Sequence, residues 1–109
     1  MVYEFRAYFL NPGKMDALVK RFSDHTIGIF RRFGIEVINF WTDAKGEEAL
    51  YYMLGFKDRE TQEKTWAAFR EDEEWIRVKK ESEPDLPLVK EVVSYTMEEA
   101  AFFDRGLAE

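Results

Sequence analysis

Tyr3-Glu4-Phe5-Arg6-Ala7-Tyr8-Phe9-Leu10-Asn11-Pro12-Gly13-Lys14 is the stretch on which the reading of the whole chain turns. Tyr3, Phe5, Ala7 and Phe9 fall on one side of an extended backbone, and Glu4, Arg6 and Tyr8 on the other. Period-two alternation is the mark of a half-buried strand. Its polar side sets an acid, a base and a phenol in a row on one sheet face. Asn11-Pro12-Gly13 closes the strand as a turn and launches a helix.

Working outward, apolar residues then recur at Met15, Leu18, Val19, Phe22, Ile29, Phe30 and Phe33. On a helical wheel they span an arc of roughly 140°, which predicts one helix lying on a sheet over about 14–33. Gly34 is placed to stop it. His25, the one histidine of the chain, falls at the edge of the apolar stripe. Strands follow over about 35–42 and 49–56, joined by the Asp43-Ala44-Lys45-Gly46-Glu47-Glu48 hairpin loop. Here alternation fails. Ile35, Val37 and Trp41 oppose Ile38 and Phe40, and Tyr51 and Met53 oppose Leu50, Tyr52, Leu54 and Phe56. Apolar side chains on both faces predict that neither face meets water.

Asp58 reads as the N-cap of a helix carrying Gln62, Trp66 and Phe69. Continued unbroken, that helix would throw Trp75 to the side opposite Trp66. A break near Asp72 is therefore expected, with Asp72 capping a second short helix that ends in Lys79 and Lys80. Glu71 to Glu74 read as solvated acid at a helix start in preference to a cation site. Leu88 to about Tyr95 is the fourth strand. Thr96-Met97-Glu98-Glu99 matches a capping box, predicting a short C-terminal helix with Phe102 and Phe103 that stops near Gly106.

Composition bounds the function. A chain of 109 residues with 46% hydrophobic and 35% charged residues is one ordinary domain spanning 1–109. A net charge of −6 argues against nucleic acid or an anionic membrane as a partner. No cysteine is present, which removes disulfides, thiolate chemistry and zinc clusters and suits a reducing compartment. With no signal-like or membrane-length apolar run, the expectation is a cytoplasmic protein. There is no phosphate-cradling glycine loop, nucleophile elbow or His-Glu-x-x-His pattern. No metal and no cofactor is therefore expected.

The element order β-α-β-β-α-β is the α+β, ferredoxin-like split unit, with a four-stranded antiparallel sheet and two helices on one face. Bare, the second face would leave four or five large apolar side chains wet, each forgoing about 1.5–3 kcal/mol. Pairing of two copies through the open sheet face removes that exposure, so a homodimer is expected. In that reading Glu4, Arg6 and Tyr8 turn toward a second subunit. Phe102, Phe103 and Trp75 are further interface candidates.

Taken with their order and spacing, Tyr3-Glu4-Phe5-Arg6-Ala7-Tyr8, Asn11-Pro12-Gly13-Lys14, Arg31-Arg32-Phe33-Gly34, Phe40-Trp41-Thr42 and Glu74-Trp75 resemble the NIPSNAP family over essentially the whole chain. The resemblance implies a dimeric α+β barrel, in which two split units enclose cavities between sheet and helices. That superfamily includes the antibiotic-biosynthesis monooxygenases. Relatives often have proline where this chain has Glu73. The resemblance carries no particular reaction, and a shared fold does not transfer one.

Candidate site residues follow. Arg6 and Tyr8 could bind a carboxylate or phenolate in an aromatic cavity, or Arg6 could form an interface ion pair with Glu4. His25 or Glu4 could act as a base, and His25 as a haem ligand as in some relatives of the superfamily; the preferred reading of His25 is a helix-edge residue capping a polar group beside the core. Asn39 and Trp41 share a strand face suited to a flat ligand, or to a structural hydrogen bond and a packed indole. Three functions remain: a small-molecule-binding homodimer, a cofactor-independent monooxygenase- or isomerase-like enzyme, and a protein-interaction module. Convergence of Glu4, Arg6, Tyr8 and His25 on a cavity of about 300 Å³ or more would favour the first two.

Overall fold

A computed structural model describes residues 1–103. Strands β1 (Val2–Leu10), β2 (Glu36–Thr42), β3 (Ala49–Phe56) and β4 (Val89–Met97) form one antiparallel sheet in the order β2-β3-β1-β4. Helices α1 (Met15–Arg21), α2 (Ile27–Arg32), α3 (Arg59–Arg70) and α4 (Glu73–Ser82) supply the second layer. This is the expected ferredoxin-like arrangement. The core between the layers is aromatic, with Phe22, Phe30, Tyr52, Phe56 and Phe69 buried together.

The caps fall where the sequence puts them. The Asp58 carboxylate accepts from the Thr61 N–H at 2.7 Å, and that of Asp72 from the Trp75 N–H at 2.9 Å. Each satisfies a helix-start donor that would otherwise lack a partner. The break at Asp72 folds Trp75 back onto the core, 4.9 Å from the Phe69 ring centre. Trp75 is therefore not an exposed interface residue. Gly34 takes φ 79°, the left-handed stop that lets the helix end and β2 begin.

Three expectations need correction. First, α1 and α2 are joined by a π-helical turn over Phe22–Thr26. A π turn holds more residues than an α turn, so each side chain lags behind the α-helical step. His25 swings off the sheet-facing side and is exposed, while Thr26 takes the inward position and is 2% exposed. The Thr26 hydroxyl donates to the Arg21 carbonyl at 3.3 Å. Val19, also placed on the apolar arc, is 44% exposed.

Second, the two-sided apolar pattern of β2 arises from a bulge. Register shifts between Val37 and Asn39. Val37 and Phe40 thereby both pack on the core, while Ile38 and Trp41 are left exposed on the other side. An inserted residue resets the alternation, which is why neither side read as polar. Third, Thr96 and Met97 belong to β4, and residues 98–103 form an irregular stretch with a turn where a terminal helix was expected. Gly106 lies outside the described residues.

Candidate functional site

Glu4, Arg6 and Tyr8 face the helices, not a second subunit. Glu4 is 4% exposed, and both its oxygens are engaged. Its Oε2 receives Arg6 Nη1 at 2.6 Å, and its Oε1 receives Gln62 Nε2 at 2.8 Å and Trp66 Nε1 at 2.7 Å. Gln62 also donates to Thr96 Oγ1 at 3.0 Å. The spacing of Gln62 and Trp66 on α3, four residues apart, puts both donors on one helix face above β1. A carboxylate so enclosed is a fixed counter-ion. Its geometry is that of a group positioning Arg6 rather than one receiving a proton from a substrate.

Arg6 lies over the Trp66 ring, 4.9 Å from its centre, and Nε donates to the Tyr52 hydroxyl at 2.8 Å. Burial works against its charge. The surrounding tyrosine oxygens and the Glu4 carboxylate outweigh that penalty and push the Arg6 pKa further up. Tyr52, wholly buried at the centre of β3, reads in the sequence only as one of that strand's apolar residues. Burial first, and the neighbouring Tyr8 second, push its phenol pKa well above 10.0, so it stays neutral.

The protons can be followed from this. Tyr52 accepts from Arg6, so its own hydrogen needs an acceptor, and a buried hydroxyl without one is disfavoured. The Tyr8 oxygen is 2.7 Å away and takes it. Tyr8 also receives Arg6 Nη2 at 3.4 Å. Its oxygen thus accepts two bonds, and its own O–H is directed elsewhere. Tyr8 lines a cavity of about 400 Å³ between the sheet and the helices, and that is where the hydroxyl can be donated.

The cavity floor carries Glu4, Arg6 and Tyr8; Phe22, Phe30 and Trp66 wall it, and Arg21, Arg70, Trp75, Lys79 and Glu83 lie toward α4. Arg21 is buried, bonds Ser82 and Glu83 through Nη1, and holds its guanidinium 5.1 Å from the Trp75 ring centre. Burial raises the Glu83 pKa, but hydrogen bonds from Arg21, Lys79 and the Leu88 N–H together draw it below 4.5. On β4, Val92 lies across from Tyr8 and lines the cavity, yet it is 47% exposed.

Other candidate residues are not part of this site. His25 lines a separate groove with Asp24, Val78 and Glu81. Asn39 and Trp41 do share a face, as expected, but it is the bare one. Asn39 Oδ1 accepts from the Phe40 N–H at 2.8 Å, a local bond at the bulge, and Trp41 is 43% exposed. Sequence reading missed Tyr52, Gln62, Trp66, Thr26 and Arg21 as site residues. The signal was present for α3: with Glu4 facing inward, the donors at 62 and 66 on the covering helix were its available partners.

No group of His, Cys, Asp or Glu among the described residues is arranged to hold a metal ion. Among the described residues, no helix is long and apolar enough to cross a membrane.

A family model described as NIPSNAP matches residues 3–103. Among solved structures, an uncharacterised NIPSNAP domain protein from Burkholderia xenovorans is 20% identical, with a TM-score of 0.80 over 95% of this chain and 99% of that one. A NIPSNAP family protein from Agrobacterium tumefaciens is 18% identical, with a TM-score of 0.80 over 93% and 94%. An antibiotic biosynthesis monooxygenase is 13% identical, with a TM-score of 0.66 over 92% and 99%. At these identities the likeness is one of fold. No curated protein matches the sequence.

Proposed function

The chain belongs to the NIPSNAP family, and from that premise we propose that it is a homodimeric, cytoplasmic α+β barrel protein binding a small, partly aromatic or anionic organic ligand between sheet and helices. The observation that carries this reading is the Tyr8 hydroxyl. Arg6 and Tyr52 saturate its oxygen from below, leaving its donor for a group inside a cavity of about 400 Å³. That volume falls in the range of small-molecule sites, and apolar walls with a few fixed polar groups are their usual lining.

The bare sheet face supports the dimer. Ile38, Trp41, Tyr95 and Met97 are 38–59% exposed there, and Phe5 and Tyr51 stack beside them. Such a face is more apolar than a monomer ordinarily presents. A cofactor-independent enzyme on the monooxygenase pattern would draw on the same network, since donors to the Tyr8 oxygen would also steady a bound phenolate. Its expected base is lacking, because Glu4 is fully engaged and His25 lies in another groove. The binding reading is therefore preferred, and an interaction module would leave the cavity without use.

The three tryptophans allow a direct test. Trp66 and Trp75 line the cavity, whereas Trp41 is on the opposite sheet face. In a screen of small aromatic acids and phenols, a bound compound shifts the indole N–H resonances of Trp66 and Trp75 and leaves Trp41 in place. Compounds that move Trp41 alone, or a screen that moves none of the three, would overturn the proposal.

A further inference from the structure

We infer that the ligand is an organic monoacid, held with its carboxylate at the cavity mouth by Arg21, Arg70 and Lys79 and with an aromatic or apolar body that brings a hydrogen-bond acceptor to Tyr8. This rests on the reading of the cavity as a ligand site and adds the class and the orientation of the ligand.

Six charged residues line the cavity: Glu4, Arg6, Arg21, Arg70, Lys79 and Glu83. Four are cationic and two anionic, in a chain whose net charge is −6. The excess is unevenly placed. On the floor, Glu4 and Arg6 neutralise one another at 2.6 Å. A second anion at that point would face the Glu4 carboxylate in a buried setting, where like charges repel strongly. At the mouth, three cations share one carboxylate. Glu83 binds Arg21 at 2.9 Å and Lys79 at 3.0 Å, and Arg70, which is exposed, has no ion-pair partner among the described residues. Two positive charges stay uncompensated on the α3–α4 side.

Arg21 gives that charge a directed form. It is 6% exposed, and Nη1 carries its bonds to Ser82 and Glu83. Its Nε is buried without a hydrogen-bond partner. Nη2 makes no hydrogen bond among the described residues and is the nitrogen left to meet a carboxylate oxygen. The Trp75 ring centre, 5.1 Å away, backs the guanidinium. The opposite end offers Tyr8, Phe22, Phe30 and Trp66, surfaces for an apolar or aromatic body.

Calorimetry with 3-phenylpropionate and 3-phenylpropionamide, equal in shape and different in charge, tests this on the full chain. The acid is expected to bind at least about tenfold more tightly, and its advantage to shrink as salt rises, because the mouth is open to solvent. The exposed double variant Arg70→Gln/Lys79→Gln should reduce acid affinity several-fold and leave the amide unchanged, while Tyr8→Phe, which alters no charge, should affect acid and amide alike. Equal binding of acid and amide, or equal loss of both in the double variant, overturns the inference and leaves the ligand site standing. If neither compound binds while other neutral aromatics shift Trp66 and Trp75, the inference again falls alone. If nothing binds at all, both fall.

Discussion

The two faces of β1 are inverted relative to the usual placing of polar and apolar side chains. The covered face of β1 carries Glu4, Arg6 and Tyr8, while its uncovered face carries Tyr3, Phe5 and Phe9. Charge is enclosed and aromatic surface is left open. The covered face tolerates this because each charged group has a partner: Glu4 accepts three hydrogen bonds and Arg6 donates three. Nothing comparable balances the open face. The difference teaches that the polar row is built for the interior of one subunit, and that the aromatic row accords with the interior of an assembly.

The largest effect is expected on the covered face. Glu4→Ala leaves the Arg6 guanidinium buried without its counter-ion, which should lower unfolding free energy by about 3–5 kcal/mol in a urea titration. Arg32, half exposed and paired with Asp72 at 2.8 Å, gives the contrast: Arg32→Ala should leave the urea midpoint almost where it was. Equal losses would mean that enclosure is not what distinguishes the Glu4–Arg6 pair.

On the open face the expected effect is on association. Tyr95, 59% exposed, should be replaceable by glutamate with little change in the folding of a single subunit. Light scattering at micromolar concentration should report a dimer for the wild-type chain and 13.0 kDa particles for Tyr95→Glu. The dimer would be weakened by about 100-fold, as when a charge is set in an apolar contact. A wild-type chain that scatters as a monomer would remove the assembly half of the comparison.

Two smaller effects concern pH. Tyr52 has a folded pKa raised above 10.0, so the unfolded chain loses this proton first. Its contribution to stability is complete below pH 10 and declines as pH rises past that value. Glu83 runs the other way. Its folded pKa is drawn below 4.5, so its contribution is complete above that pH and is lost as pH falls through the folded value. Unfolding midpoints followed to pH 11 and to pH 3 should fall at both ends. Glu83→Gln should flatten the acid end alone.

Much of the fold was legible because its signals are local. Asp58 and Asp72 announce caps by residue type, Gly34 a stop, and the alternation of β1 a strand. The orientation of that strand was not legible. Whether Glu4, Arg6 and Tyr8 turn toward the helices or away depends on partners at 52, 62 and 66, which lie far along the chain. The bulge at Ile38 and the π turn at Phe22–Thr26 were hidden for a related reason. Each inserts one residue into a regular period and so shifts every later assignment, moving His25 out and Thr26 in. Arg6 and Tyr8 were legible as a pair suited to a ligand; Tyr52, the group that frees the Tyr8 hydroxyl, was hidden by its place in an apolar strand.

The central claim is that the cavity above Tyr8 is occupied in the working protein. Native mass spectrometry of the chain purified from its host, without organic solvent, addresses it most directly. The account predicts a dimer carrying a small organic adduct on each subunit, and loss of that adduct in Tyr8→Phe with the dimer intact. Wild-type protein with the bare polypeptide mass, or an adduct held equally by Tyr8→Phe, would contradict it.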